Sequence, residues 1–466
     1  MIPMTLAEVA AATGGTLAGV GGDGATRVVV DGPVVTDSRE AGPGGLYVAR
    51  VGEHADGHDF AASAVAAGCV AALTSRPLDG LPCVVVNDTQ EGFARLTRAV
   101  VDALPDLAVV GITGSSGKTS TKDLLGSVLA TAGPTVAPVG SYNSEVGVPL
   151  TVCRVTPDTR FLVVEMGARG IGHIAYLASM APPRIGVVLN VGTAHVGEFG
   201  SREAIARAKS ELPAAVPESG VAVLNADDPA VRAMAAVTAA RVVLVGEAED
   251  AQVRATDVVL DRQGRPSFTM TTPVGAVPVT LGLVGRHHVG NALATAAVAL
   301  ELGLELPAVA AALAEARPVS RWRMEVTERA DGVTLVNDAY NANPDSMRAA
   351  LSALERMGEG RRTWAVLGTM LELGEESHAL HAEVGAEVEA RGVDELVVVG
   401  PAAAPIATGA GDGATHVRSV TDADAAEALL REELRRGDVV LFKSSRDAGL
   451  RLLGDRLATT PEEQQT

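Results

Sequence analysis

Short apolar runs alternate with stretches of helical periodicity through the middle of the chain. The runs LAVVGI, RFLVVEM, IGVVLNVG and VAVLN lie between residues 107 and 225, and helical stretches separate them. This alternation is typical of a parallel sheet covered by helices. Residues 253–284 instead predict β-strands and turns, and two further helices are predicted near 290–302 and 306–316.

The alternation stops at RPVSRWRM, residues 317–324, and then resumes. The runs VTLVND, TWAVLG, ELVVVG and DVVLFKSS are each followed by a helical segment, which predicts a second α/β unit. We therefore interpret RPVSRWRM as a linker between two domains.

The first part of the chain is rich in Gly and in short strands. Its first helix is predicted within TLAEVAAATGG, where Thr5 and Glu8 fit a capping box and Gly14 fits a C-cap. A chain of 466 residues is too long for one ordinary core. The expected fold class is α/β with three domains: a smaller α/β domain at 1–106, a central P-loop-type parallel sheet with helices at 107–317, and a Rossmann-like α/β domain at 318–466.

Composition narrows the class of protein. Hydrophobic residues make up 47% and aromatic residues only 3%, so the cores are expected to consist mostly of Val, Leu and Ala. No apolar run reaches the roughly 18 residues of a membrane span, and no secretory signal opens the chain, so we expect a cytoplasmic monomer. Cys69, Cys83 and Cys153 lack metal-ligand spacing and are expected to be reduced thiols.

The charge pattern bears on possible ligands. The formal net charge is −19 and no basic patch is visible, so a nucleic-acid partner is not expected. Only four of the 38 basic residues are lysines: Lys118, Lys122, Lys209 and Lys443. Lysine offers a compact charge and an amine whose pKa burial can lower, which arginine does not. Each lysine is therefore a candidate for specific chemistry, except that Lys122 is expected on an exposed helix face.

The stretch GITGSSGKTS, residues 111–120, predicts a phosphate-binding loop. It lies between a strand predicted at 107–112 and a helix predicted at 119–132. Backbone N–H groups in such a turn can surround phosphate oxygens, and the helix dipole adds positive potential. The loop is a shortened variant, because Ile112 stands where the strict P-loop pattern has Gly. The candidate phosphate-binding residues are Gly114, Ser115, Ser116, Gly117, Lys118, Thr119 and Ser120.

Further candidates follow the neighbouring strands. Glu165 ends the run RFLVVEM, at the edge of an open sheet where ligands bind, and its carboxylate suits Mg²⁺. His195 comes just past the next strand, and Lys209 lies on the helix after it.

At these motifs the sequence resembles the Mur ligases, the ATP-dependent amide-forming enzymes of peptidoglycan synthesis. The resemblance rests on eight stretches of the second and third predicted domains, in the family's order: GITGSSGKTS, VVEMGA, TAHVGEFGS, AKSEL, GRHHVGNALATAA, NDAYNANPDSM, LGTMLELGEESHALH and FKSSRDAGLRLL. The stretch TDSREAGPGGLYVARVGEHADGHDF, residues 36–60, extends it to the first domain. The last four of the eight stretches favour a member that joins D-alanyl-D-alanine to a UDP-linked muramoyl tripeptide.

The resemblance implies roles for residues near the nucleotide. ATP and Mg²⁺ are the expected cofactors, with Thr119, Glu165, His195 and Lys209 as metal ligands and Lys209 carbamylated. It implies Lys118, Lys209 and His195 as catalytic residues. Asn291 corresponds to the adenine contact, and Arg323 and Asp338 to groups near the phosphates and ribose.

The resemblance also implies a substrate site. Ser38 and Arg39 are the candidates for binding the UDP end of the precursor, and Asn143 and Glu145 face the substrate behind the ATP site. In NDAYNANPDSM the candidates are Tyr340, Asn341 and Asn343, although Asn343 followed by Pro344 is also a helix start on its own chemistry.

Several alternatives stay open. The chain could be a related Mur ligase that adds one amino acid, a folylpolyglutamate synthetase, or a regulatory P-loop NTPase. The pair His287-His288 departs from the family's usual His-Asn, which leaves the role of His288 open. Lys443, Ser445 and Arg446 could meet a substrate carboxylate or form a structural ion pair.

Overall fold

Three sheets organise the protein in this computed structural model, which describes residues 1–52, 54–138, 140–192 and 196–459. A five-stranded sheet comes first, then a nine-stranded sheet and a six-stranded sheet. The three-domain α/β fold class is thereby confirmed. The domain boundaries at 106/107 and 317/318 stay predictions.

The first sheet has the order β2-β7-β6-β5-β4 and is parallel except for the β2–β7 pair. A small antiparallel pair, β1–β3, lies outside it. As predicted, Thr5 and Glu8 form a capping box at α1, and Gly14 ends this helix in a left-handed conformation. The elements are β1 (Met4–Thr5), α1 (Leu6–Thr13), β2 (Thr16–Ala18), α2 (Gly22–Ala25), β3 (Val29–Val30), β4 (Val34–Val35), β5 (Leu46–Val48), α3 (Ala61–Ala66), β6 (Ala71–Thr74), β7 (Cys83–Val85) and α4 (Thr89–Asp102).

The central sheet has the order β16-β15-β14-β13-β12-β11-β8-β10-β9. Strands β8 to β14 all run parallel to one another, and β15 and β16 extend the sheet in antiparallel pairs. The elements are β8 (Ala108–Thr113), α5 (Lys118–Ala130), β9 (Thr135–Val136), α6 (Gly147–Val152), β10 (Phe161–Glu165), α7 (His173–Met180), β11 (Ile185–Val188), α8 (Val196–Phe199), α9 (Arg202–Ala215), β12 (Val221–Asn225), α10 (Pro229–Arg232), β13 (Arg241–Gly246), β14 (Val253–Leu260), β15 (Pro266–Thr272), β16 (Gly275–Thr280), α11 (His288–Glu301) and α12 (Leu306–Glu315).

Alternate residues of β8 face two different cores. Val110 and Ile112 pack with α5 and α11, whereas Val109 packs on the other side with residues of the first part of the chain, including Phe93. The side chains of a strand point alternately to the two faces of its sheet, so a central parallel strand is apolar throughout. The first and second sheets therefore share one continuous core.

The third sheet has the order β17-β18-β22-β19-β20-β21 and is parallel except for the β17–β18 pair. The elements are β17 (Glu325–Glu328), β18 (Thr334–Asn337), α13 (Pro344–Met357), β19 (Thr363–Leu367), α14 (Ser377–Ala390), β20 (Glu395–Val399), α15 (Ala404–Ala410), β21 (His416–Val420), α16 (Ala423–Glu433), β22 (Val439–Lys443) and α17 (Leu450–Ala458). None of the helices in the described part of the chain combines the length and apolar character needed to cross a membrane.

Candidate active site

A cavity of about 910 Å³ is lined by residues of both the central and the third sheet. One side is formed by the turn between β8 and α5 and by the end of β10, and the other by the loop between β18 and α13. The carboxyl ends of parallel strands are where open α/β sheets bind ligands. The volume falls in the range of roughly 300–1,000 Å³ that is usual for small-molecule sites.

The predicted phosphate loop is fixed by Asn190, which follows β11. The Asn190 side chain accepts a hydrogen bond of 2.9 Å from the Ser116 N–H and donates one of 3.1 Å to the Ser116 carbonyl. Gly117 has φ of +80°, and a Cβ there would lie 2.9 Å from the amide oxygen of Asn291. Only glycine suits this position. Of the predicted residues 114–120, all except Gly114 line the cavity.

Lys118 reaches back over its own loop. Its ammonium donates a hydrogen bond of 2.7 Å to the carbonyl oxygen of Gly114, at the start of the turn. The ammonium is therefore held at the start of the predicted phosphate loop and lines the cavity.

Glu165 is completely buried at the end of β10 and accepts hydrogen bonds from three side chains. Thr119 donates to one carboxylate oxygen at 3.0 Å, and Asn143 and Ser141 donate to the other at 2.8 and 3.1 Å. Asn143 was expected to face the substrate. Asn143 lines the cavity, and its amide also holds Glu165, because the loop after residue 140 folds over the end of β10.

Lys209 is 5% exposed on α9 and lines the cavity. Burial, reinforced by the charge of Lys118, lowers the pKa of the Lys209 amine well below its usual value. A lowered pKa makes the uncharged, nucleophilic form of the amine easier to reach. In the described ranges, no three His, Cys, Asp or Glu side chains form a group that could hold a metal ion. His195 lies outside the described residues.

The third sheet contributes a buried ion pair. Lys443, at the end of β22, donates a hydrogen bond of 2.6 Å to the carboxylate of Asp338, and one of 3.1 Å to the carbonyl of Asn341. Burial lowers the pKa of Lys443, and the charge of Asp338 opposes this. Of the two interpretations given for Lys443, its contacts match the structural ion pair. Ser445 is also buried, and its hydroxyl accepts a hydrogen bond from the Leu371 N–H.

Arg323 crosses from the linker to the phosphate loop. Its guanidinium donates a long hydrogen bond of 3.4 Å to the Thr119 hydroxyl and lies 4.3 Å over the Tyr340 ring. Arg446 lies 5.8 Å from the centroid of the same ring. Cations stack favourably on aromatic faces, so Tyr340 fixes the direction of Arg323.

Two other predicted residues have clear local roles. The Asn343 side chain accepts a hydrogen bond of 2.9 Å from the Ser346 N–H and forms a capping box at α13. Asn343 is 6% exposed, so its amide is committed to the helix although it lines the cavity. Asn291 is also buried and lines the cavity, 3.4 Å from His288.

The predicted substrate residues do not all meet at the cavity. The residues that line it are Asn143, Glu145, Tyr340, Asn341 and Asn343. Ser38 and Arg39 lie in a turn of the first part of the chain and do not line it. Arg39 is 88% exposed and bonds to Asp37, which lowers the pKa of that carboxyl to about 2.

The exposed position expected for Lys122 is wrong. Lys122 is 1% exposed, because the linker between the second and third sheets covers this face of α5. The surface of α5 looked polar in the sequence, and only the return of a segment almost 200 residues later buries it.

Some residues of the cavity were missed. Asn190 follows a strand directly, as Glu165 does, and that position could have revealed it. Ser141 gave no comparable signal, since its contact with Glu165 depends on the path of a loop. His173 and Tyr176 enter the cavity from α7.

Comparisons with known proteins agree with this geometry. Three family models match successive parts of the chain: "Mur ligase family, catalytic domain" at 33–110, "Mur ligase middle domain" at 112–299, and "Mur ligase, glutamate ligase domain" at 322–446. The UDP-N-acetylmuramoyl-tripeptide–D-alanyl-D-alanine ligase of Mycobacterium tuberculosis is 51% identical, over 98% of each chain.

Solved structures show the same likeness along the whole chain. MurF from Acinetobacter baumannii has a TM-score of 0.87 at 32% identity, covering 98% of this chain and 99% of that chain. MurF ligase from Thermotoga maritima, in complex with ADP, has a TM-score of 0.80 at 30% identity, with 91% and 97% covered.

Proposed function

The chain belongs to the Mur ligase family, and on this premise we propose that it joins D-alanyl-D-alanine to UDP-N-acetylmuramoyl-tripeptide at the expense of ATP. The observation that carries the proposal is the shared cavity, in which Lys118 and Glu165 of the central sheet meet Arg323 and Asp338 from the other side. The likeness to relatives named for this reaction extends over 98% of the chain.

The proposed reaction has two steps. First, a carboxylate oxygen of the tripeptide attacks the γ-phosphorus of ATP, and the bond between that phosphorus and the β,γ-bridging oxygen breaks. The products are ADP and an acyl phosphate. Second, the uncharged amine of D-alanyl-D-alanine attacks the acyl carbon. Phosphate leaves and the nitrogen loses a proton, which gives the amide.

The protein's part in the first step is positioning and charge stabilisation. Lys118 and the N–H groups of residues 115–118 would bind the β- and γ-phosphates, and Arg323 would approach the same phosphates from the opposite side. Charge spreads over the oxygens during phosphoryl transfer, so preorganised donors of this kind are the main source of rate enhancement. Asp338 would bind the ribose and Asn291 the adenine.

The residues around Thr119 fit a magnesium ion. The Thr119 hydroxyl and the Glu165 carboxylate lie 3.0 Å apart, and both are the hard oxygen donors that Mg²⁺ prefers. When bound, Mg²⁺ would neutralise charge on the phosphates. Asn143 and Ser141 orient Glu165, so that its carboxylate keeps one direction. His195 is proposed for a second ion.

Lys209 fits the proposed carbamylation. Burial lowers the pKa of its amine, and the uncharged amine would attack carbon dioxide and release a proton, leaving an anionic carbamate on the nitrogen. Such a group would supply oxygen ligands close to Lys118. We further propose that Ser38 and Arg39 bind the UDP end of the precursor, that Glu145, Tyr340 and Asn341 contact substrate, and that the protein acts as a cytoplasmic monomer.

The test is ADP release by the purified full-length chain. ADP should form with UDP-N-acetylmuramoyl-tripeptide and D-alanyl-D-alanine together, and neither D-glutamate, a diamino acid nor folate should replace the dipeptide. Lys118→Met is the control for contaminating ATPase activity and should lower the rate about 100-fold or more. ADP release that needs no acceptor would favour a regulatory NTPase and would overturn the proposal.

A further inference from the structure

Lys122 is buried one helical turn after Lys118 and has a complete set of partners. Its ammonium pairs with the Asp123 carboxylate, donates a hydrogen bond of 3.0 Å to the Pro138 carbonyl, and donates one of 3.2 Å to the Ser320 hydroxyl. An ammonium group has three N–H donors, and here each has an acceptor. The planar fork of arginine could not reach three acceptors arranged around one point.

Asp123 grips the same linker residue from the other side. One carboxylate oxygen pairs with Lys122, and the other accepts a hydrogen bond of 3.0 Å from the Ser320 N–H. Two adjacent residues of α5 thus hold both the backbone and the side chain of Ser320. The linker is fastened at this point to the helix that begins at the phosphate loop.

The linker beyond Ser320 adopts an unfavourable backbone conformation. Trp322 and Met324, which flank Arg323, have φ of +59° and +52°. Left-handed conformations at bulky residues persist only where the surroundings enforce them. Here the Trp322 N–H donates to Glu325 and the Met324 N–H to Asp338, while Ser320 is held by α5. The segment that presents Arg323 is therefore fixed at both ends.

The contact between Lys122 and Pro138 lies close in the chain to the residues that orient Glu165. Pro138 precedes the loop whose residues Ser141 and Asn143 donate hydrogen bonds to the Glu165 carboxylate. A single ammonium thus ties together the helix of the phosphate loop, the segment before the Glu165-orienting loop, and the linker that delivers Arg323 to Thr119.

We propose that Lys122, together with Asp123 and Ser320, is a positioning group for phosphoryl transfer that sets Arg323 and Glu165 relative to the phosphate loop. The proposal rests on the proposed function, because it assigns these residues to the ATP-dependent step. Lys122 touches neither nucleotide nor substrate in this role and acts through the segments that it holds.

The decisive variant is Ser320→Ala, which removes one acceptor of Lys122 at a half-buried position. We expect kcat for ADP release to fall about 10-fold, as is usual when a group that supports an active-site residue is lost. The KM for D-alanyl-D-alanine should stay within about twofold, because the acceptor amine is not bound through this contact. Val319→Ala, at the exposed neighbouring position, is the matched control and should behave as the wild type.

A second measurement does not depend on turnover. Trp322 and Trp364 are the two tryptophans, and Trp364 is buried in the third sheet, so a fluorescence change on adding ATP would report mainly on the linker at Trp322. We expect Ser320→Ala and Lys122→Met to weaken that change. Lys122→Met should lower kcat about 100-fold. If the Lys122→Met variant fails to fold, the kcat and the fluorescence change of Ser320→Ala alone test the positioning role.

The outcomes separate the two proposals. A wild-type chain that releases no ADP with the full substrate set would overturn the proposed function, whatever the variants do. An active wild type whose folded Ser320→Ala variant keeps its kcat and its ATP-dependent fluorescence change would overturn the positioning role alone. A rise in KM for D-alanyl-D-alanine without loss of kcat would also count against it.

Discussion

The hydroxyl of Thr119 donates a hydrogen bond of 3.0 Å to the carboxylate of Glu165 and so joins the start of α5 to the end of β10. Strands β8 and β10 are neighbours in register, with Glu165 beside Ile112. The phosphate loop after β8 and the carboxylate after β10 therefore meet because of sheet pairing rather than loop flexibility. This contact is where the proposed magnesium ion and the phosphates would lie.

Replacing Glu165 with Gln should remove the negative charge of this side chain while keeping its size and its hydrogen bonds. The new amide can keep its contacts, because its oxygen can accept from Asn143 and Ser141 and its nitrogen can donate to the Thr119 hydroxyl. The anionic oxygen that Mg²⁺ needs is lost, so ADP release should fall about 100-fold to 1,000-fold. Thermal unfolding should be nearly unchanged.

The control for this variant is Glu218→Gln, an exposed carboxylate far along the chain that does not line the cavity. It should keep full activity. If Glu165→Gln retained half of the wild-type rate at saturating magnesium, the assignment of Glu165 as a metal ligand would be wrong.

The role of Lys209 in ADP release should depend on its reaction with carbon dioxide and not on its positive charge. Lys209→Arg keeps a cation but cannot form a carbamate, so ADP release should fall by about 100-fold, the upper end of the cost of losing a group that supports a metal. Lys209→Ala should be equally inactive and should regain part of its rate when a short carboxylic acid such as propionate is added.

Carbon NMR of the protein in isotopically labelled bicarbonate gives a direct readout for Lys209. A carbamate resonance should appear in the wild type and be absent from Lys209→Arg. Wild-type activity that is unaffected by rigorous removal of carbon dioxide, together with no resonance, would contradict the carbamate.

The strands, and the residues directly after them, were open to prediction because they depend on local pattern. Apolar runs defined β8, β10 and β22, and Glu165 was identified because it ends one of these runs, whereas Asp338 was named from the family resemblance. The helix caps at Thr5 and Asn343 were equally local, since a cap involves residues only three positions apart.

Contacts between distant segments could not be predicted in the same way. Lys122 looked like a surface residue because nothing near it in the chain shows that Ser320 returns to cover it. The hydrogen bond from Asn143 to Glu165 could not be predicted, because it depends on a loop path that periodicity does not describe. The partner of Lys443 was left open, because β18 and β22 become neighbours only in the folded sheet.

Removing one partner of the buried Asp338–Lys443 pair should destabilise the third sheet. Asp338→Asn leaves the Lys443 ammonium, 2% exposed, without its counter-charge, so the free energy of unfolding should fall by about 3–5 kcal/mol. The double variant Asp338→Asn/Lys443→Met should recover part of that loss, because no buried charge remains unpaired.

Urea unfolding followed by tryptophan fluorescence suits this measurement, since Trp322 and Trp364 both belong to the part of the chain that contains the pair. If the double variant were as unstable as the sum of its single changes, the two residues would not be energetically coupled.

His288 should make stability depend on pH below neutrality. It is 3% exposed at the start of α11, and burial, reinforced by the charge of His287, lowers its pKa well below the usual value. The unfolded chain therefore binds a proton at a pH where the folded chain does not. Linkage then makes the protein less stable as pH falls below about 6.5, by up to about 1.4 kcal/mol per pH unit for this one group.

The comparison that isolates His288 is the difference between wild type and His288→Gln, measured as urea unfolding by circular dichroism at pH 7.5 and about pH 5.5. Gln can keep a hydrogen bond toward Asn291 but does not titrate, so the variant should lose less stability on acidification. His54→Gln, at an exposed position in the first part of the chain, is the control and should behave as the wild type. Carboxylates contribute equally to all three proteins and cancel in the difference. An identical slope for wild type and His288→Gln would mean that His288 binds a proton as readily in the folded chain as in the unfolded chain, so that burial does not lower its pKa.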